Sequence, residues 1–220
     1  MKTIHSSLHP LNRRHGRSNH PASSGFSLVE IVVVVALVAL IFAFATPYTL
    51  SAIQSASIST AGDTLMLKLS QAQQRAVTDT RPTGVDFFYY TKDGIKGCHA
   101  IQLIRYDAST NESTPLEEPV YWSDGRAVLV EGVLSPMFLD NLSPFSTGPA
   151  EIEPFKNLEA TFNRIIFYPN GSTNLRVPLR DAYLTLISIR NYQEELTDPP
   201  SNYYTVQLDP ITGRAHSYRP

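Results

Sequence analysis

The sequence predicts an α+β protein: a long amino-terminal, membrane-spanning helix packed on a small antiparallel β-sheet or sandwich. Three observations predict it. Ile31 to Ala45 contains no polar residue. Downstream, Ile58, Ala61, Leu65, Leu69, Ala72 and Ala76 recur at intervals of 3, 4, 4, 3 and 4, one apolar helical face. After Pro82 the pattern changes to short β-prone runs separated by turn residues. The 220 residues suffice for one anchor and one modest domain.

The first segment, residues 1–25, is rich in Ser, His, Arg and Asn and reads as a basic leader that cannot build a core. His5, His9, His15 and His20 lie in it, and a solvated leader is a better reading of them than a metal site. Net charge is −2, but it is unevenly spread. Lys2, Arg13, Arg14 and Arg17 precede the apolar run with no acid among the first 29 residues, so all 20 Asp and Glu lie at position 30 or beyond. A basic flank before an apolar helix predicts a cytoplasmic amino terminus and an exported carboxyl-terminal body. The acidic body argues against nucleic acid as a partner.

Residues 26–47 read as the transmembrane helix. Phe26 to Ala45 as a helix spans about 30 Å, the thickness of a bilayer core. A plain anchor is one reading. A secretory signal peptide is a second, because Ala43-Phe44-Ala45 has the small-residue pattern of a cleavage site. Neither gives Glu30 a role, and a charge at the centre of a membrane helix costs about 2.5–3.5 kcal/mol. Pro47 removes one ladder bond and is expected to kink the helix there.

Residues 48–81 continue as the amphipathic second half. Asp63, Lys68, Gln71, Gln74 and Arg75 lie off the apolar face, as solvated residues do. Gly62 weakens this stretch by about 1 kcal/mol, and Arg81-Pro82 supplies the stop. A helix from Phe26 to Asp79 is about 80 Å long.

Residues 82–220 form the β-rich body. Val85–Tyr90 and Ala100–Tyr106 read as strands, with a turn at Asp93-Gly94. Asp107–Pro119 reads as a loop. Val120–Trp122 and Ala127–Val130 flank Asp124-Gly125 as a hairpin. Leu134–Leu158 is rich in Pro, Ser and Gly and reads as irregular. Ile165–Tyr168 and Leu175–Pro178 flank Pro169-Asn170-Gly171-Ser172 as a second hairpin. Ala182–Arg190 is the strongest strand, and Tyr203–Leu208 with Arg214–Tyr218 closes the chain as a hairpin.

Gly25-Phe26-Ser27-Leu28-Val29-Glu30 resembles the processing site of type IV pilins and type II secretion pseudopilins. The resemblance implies a structural, non-enzymatic subunit. A prepilin peptidase/methyltransferase would cut after Gly25 and N-methylate Phe26, and Glu30 would serve assembly with other pilin-like subunits. Pro47 matches the proline that kinks many pilin helices. The implied location is the bacterial inner membrane, single-pass with a cytoplasmic amino terminus and a periplasmic body, and then a filament. Cleavage before Phe26 would create an α-amino group of pKa about 7.7–8.0. That cation could pair with Glu30 of a neighbour and neutralise both charges in an apolar bundle. Ala72 and Ala76, the Phe167-Tyr168-Pro169-Asn170-Gly171 turn and Asp209-Pro210-Ile211-Thr212-Gly213-Arg214 resemble the minor pseudopilin H group. The ending with Arg219-Pro220 resembles a pilin-like cassette protein group of Verrucomicrobia, named by cassette position D. The chain departs from major pilins in lacking a carboxyl-terminal cysteine pair, and it has no evident calcium loop of the major pseudopilin kind.

Other chemistry is sparse. The single cysteine, Cys98, excludes an intramolecular disulfide and reads as a small buried apolar residue. Its neighbour His99 should point to the opposite face. No nucleophile elbow, phosphate-binding glycine loop or Cys-x-x-Cys pair is present, and neither cofactor nor metal is expected. Glu117-Glu118 and Glu194-Glu195 read as solvated loop charges. Phe87-Phe88-Tyr89-Tyr90 and Tyr203-Tyr204 read as half core and half exposed sheet face. Arg214, His216 and Arg219 form a small basic tail, a weak contact for DNA at most. The rival function is a signal-cleaved or membrane-anchored periplasmic module that binds sugar or DNA.

Overall fold

The computed structural model describes residues 25–122, 125–139, 147–194 and 196–220; within it, the side chains of residues 45–51 are outside the description. The leader, with its histidines, therefore lies outside the described residues. The chain divides into two compact units, Met1–Thr46 and Pro47–Pro220.

In the first unit, Leu28 opens helix α1, Leu28–Thr78. The kink expected at Pro47 falls among the side chains outside the description. Large apolar side chains from Phe26 to Phe44 are all exposed, from 44 % at Val38 to 79 % at Phe26. Among the described residues no helix is long and apolar enough to cross a membrane; the side chains of the apolar run are described only as far as Phe44.

In the second unit, α1 presents Ile58, Ala61, Leu65, Leu69, Ala72 and Ala76 to the core, all essentially fully buried. The periodicity therefore selects the packing face correctly. Burial of each large aliphatic side chain there contributes about 1.5–3 kcal/mol. Gly62 has a positive reason to be glycine: a Cβ there would lie 2.4 Å from the Tyr204 ring. The Tyr204 hydroxyl donates to Asp63 at 2.9 Å, fixing the strand that carries it against the helix. Lys68 is not a solvated residue; it pairs with Glu117 and pins a sheet loop to α1. The helix ends before Pro82, with Thr80 in the left-handed region and the Arg81 N–H donating to the Ala76 carbonyl at 3.3 Å. That is a Schellman-type stop, with threonine at the position glycine usually fills.

The body is one antiparallel sheet and not a sandwich. Its strands are β1 (Thr83–Lys92), β2 (Ile95–Asp107), β3 (Glu112–Pro115), β4 (Val120–Tyr121) and β5 (Ala127–Leu129). They are followed by β6 (Thr147–Pro149), β7 (Thr161–Phe167), β8 (Tyr183–Ser188), β9 (Tyr203–Leu208) and β10 (Ala215–Tyr218). The order is β10-β9-β8-β5-β2-β1-β7-β6, with β3 and β4 also on β2. Val85 and Phe87 of β1, Leu103 of β2, Leu184 of β8 and Val206 of β9 face the helix in one continuous core.

Three expectations for the body are corrected. Asp107–Pro119 is not wholly loop: β3 pairs with β2 from Ile104↔Pro115 to Asp107↔Glu112. Val120–Trp122 and Ala127–Val130 do not form a hairpin with each other. Both lie on β2, at Ala100↔Tyr121 and Cys98↔Leu129, so β3, β4 and β5 tile one edge of β2 as an interrupted strand. The turn at Asn170-Gly171 forms, but Leu175–Pro178 is no strand. Beyond the single bridge Phe167↔Thr173, the Asn174 side chain stands in for a ladder, accepting from the Ile166 N–H at 2.8 Å. The terminal hairpin forms as expected, with Asp209 accepting from the Ile211 N–H and the Thr212 hydroxyl.

Candidate functional site

Gly25, Phe26 and Glu30 lie together where α1 begins. Gly25 is exposed, and a Cβ on it would meet nothing within 4 Å. The fold of this chain therefore gives no reason for glycine at that position, in contrast to Gly62. Phe26 has no cover. Ser27 precedes the first helical residue, its carbonyl accepts from the Ile31 N–H at 3.2 Å, and its N–H donates to Glu30 Oε2 at 3.4 Å. Ser27 and Glu30 thus stand at the two ends of a capping-box spacing. A carboxylate in the first helical turn also meets the positive end of the helix dipole. Glu30 is therefore held beside the peptide that joins Phe26 to Ser27. The Ser-x-x-Glu spacing is the sequence signal for this local role.

The two loop motifs in the body come together. The Pro210 carbonyl accepts from the Thr173 N–H at 3.0 Å and from its hydroxyl at 2.9 Å, and Gln73 of α1 donates to the Thr212 carbonyl at 2.6 Å. Gly213, at φ +66°, is wedged in: a Cβ would lie 2.6 Å from the Gly171 carbonyl oxygen. These loops join helix and sheet and hold no reactive side chain.

Cys98 and His99 diverge, as expected. Cys98 is in the helix-side core, and burial pushes its thiol pKa well up, so it is no nucleophile. His99 is the extra residue of a bulge in β2 opposite Phe88/Tyr89; its ring packs on Tyr90, 4.9 Å between centroids. Burial lowers the His99 pKa, with the Ile95 carbonyl at 3.0 Å from Nε2 opposing it. The run Phe87 to Tyr90 is buried on both faces of the sheet, so the exposed half expected of it is absent. In the basic tail, Arg219 is engaged by Ser55 and Ser59 of α1.

Sequence reasoning missed one polar constellation. Arg164 of β7 grips Asp86 of β1 in a fork, with Nε and Nη2 at 2.6 and 2.7 Å from the two carboxylate oxygens, and both side chains are 6 % exposed. Burial raises the Asp86 pKa against the pull of the guanidinium. The pair lies on the sheet face away from α1. Asp86 and Arg164 are far apart in the chain and joined only by the β1–β7 register, so no local motif could announce them.

No protein family, no curated protein and no solved structure matches this chain.

Proposed function

We propose that the chain is a pilin-like structural subunit of the minor pseudopilin type, processed after Gly25 and assembled into a type II secretion or type IV pilus-like filament. The observation that carries this reading is the first half of α1: apolar on all sides from Ile31 onward, exposed, and opened by a capping carboxylate. A helix apolar all round needs lipid or other helices around it. In this account the inner membrane supplies that cover first and neighbouring pilin-like subunits supply it in the filament. The sterically unneeded glycine at position 25 fits recognition by a prepilin peptidase rather than a demand of the fold. Cleavage would place the Phe26 amine one residue from the N–H that Glu30 already holds, ready to pair with a carboxylate of its own or of a neighbouring chain.

Two substitutions separate the local and the assembly roles of Glu30. Glu30→Gln keeps a hydrogen-bond acceptor for Ser27 and removes the charge, whereas Glu30→Ala removes both. If charge pairing drives assembly, both variants are processed and membrane-inserted yet fail to co-purify with pilin-like partners. Normal co-assembly of Glu30→Gln with failure of Glu30→Ala would reduce Glu30 to a helix cap.

A further inference from the structure

The face of the sheet turned away from α1 is partly roofed. The segment after β6 returns over it, and Phe155 stacks on Phe88 with centroids 3.8 Å apart. Beside that roof lies an open cleft of about 560 Å³. Residues of β3 and of β6 line the same cleft, although β2, β1 and β7 separate them in the sheet. This half of the sheet is therefore curled, and the cleft is its concave side.

The floor is a built polar site. Asp86 uses both carboxylate oxygens to hold the Arg164 fork, and Arg164 Nη2 also donates to the Ser113 hydroxyl at 2.8 Å. These bonds fix the guanidinium, and Arg164 lines the cleft. Gln102 gives its Nε2 to the Glu117 carbonyl at 2.8 Å, while its Oε1 is buried without a partner. Phe162 lies under the guanidinium, 4.7 Å from the Arg164 Cζ, and with Ile104 supplies apolar lining.

Charge and backbone chemistry narrow the ligand. The lining carries Arg164 against Asp86, Glu112 and Glu151, which disfavours an anion. Among the described residues no three His, Cys, Asp or Glu side chains gather closely enough to hold a metal ion. The two strands at the rim, β3 and β6, each end in a proline, Pro115 and Pro149, and proline blunts a strand edge against an added peptide. What remains is a neutral ligand with both donors and acceptors and an apolar flank. The volume is within the range of about 300–1,000 Å³ typical of small-molecule sites. We propose that this concave face binds a neutral saccharide of one or two rings, with Arg164 and Ser113 meeting its hydroxyls and Phe162 its C–H face. The inference does not depend on cleavage at Gly25.

The test uses the full chain in a zwitterionic detergent that has no sugar headgroup. Maltose, cellobiose, lactose and chitobiose are offered separately, and saturation transfer from protein to sugar is read by NMR. The expected result is transfer to at least one sugar. Affinity should fall at least tenfold in Ile152→Trp, which fills the cleft from an exposed wall position, and several-fold in Ser113→Ala. No transfer to any of the four sugars, from protein that still unfolds cooperatively, would overturn the proposal. So would transfer that Ile152→Trp leaves unchanged, or protection of β3 and β6 amides by an extended Thr-Val peptide in place of sugar.

Discussion

The two halves of α1 solve the same problem differently. From Ile31 to Phe44 the helix is apolar on every side and, among the described residues, its large side chains are exposed. From Ile58 to Ala76 it is apolar on one face, and that face is sealed by the sheet. The second pattern matches a 3.6-residue period because the sheet offers cover on one side only. The first has no such period, as the proposed cover by lipid or neighbouring helices would require. A single element therefore carries both the fold of the body and the surface by which the proposed subunit would join others.

The largest effect that sharpens this contrast is expected at Leu65. Leu65→Ala should cost about 2–5 kcal/mol, the usual range for a buried leucine, read as a lower denaturation midpoint of the body. Leu37→Ala, in the uncovered half, should leave that midpoint within about 0.5 kcal/mol. Equal losses at both positions would break the distinction.

The two glycines of the helix region make a second pair. Gly62→Ala pushes a Cβ into the Tyr204 ring and should destabilise by about 1–3 kcal/mol, measured by chemical denaturation. Gly25→Ala meets open space and should not change stability, while leader removal, followed by a gel shift, should stop. A smaller effect belongs to the pin between helix and sheet. Lys68→Met should cost about 1 kcal/mol or less and should expose the Glu117 loop to faster amide exchange.

The smallest effect is a pH dependence of the covered region. His99 is held neutral by burial, below its ordinary pKa of 6.5. The unfolded chain therefore takes up a proton first as pH falls. The body should be at full stability above about pH 6.5 and lose stability progressively below it, toward the lowered folded value. His99→Phe should flatten that part of a stability-against-pH curve; an unchanged slope would remove His99 as its cause.

What the sequence revealed follows how local each signal is. The face from Ile58 to Ala76 and the Tyr203–Tyr218 hairpin are written in consecutive residues, and both formed as expected. The hairpin expected at Asp124-Gly125 failed because the long edge of β2 offered both flanking segments a better partner than each other. β3 escaped notice because Glu-Ser-Thr-Pro is exposed throughout and has no apolar alternation, so only the register with β2 makes it a strand. The cleft was illegible for the same reason, since Asp86, Ser113 and Arg164 meet only after β3, β2, β1 and β7 align. At the amino terminus the Ser27–Glu30 cap is written in a four-residue spacing, but the charge of Glu30 in an apolar run is the louder signal.

The account rests on the uncovered half of α1 beginning, in the working protein, at Phe26. Mass spectrometry of the amino-terminal peptide from protein expressed in a host with a prepilin peptidase tests this directly. The account predicts a chain starting at N-methylated Phe26. An intact leader, or a chain starting at Thr46, would contradict it.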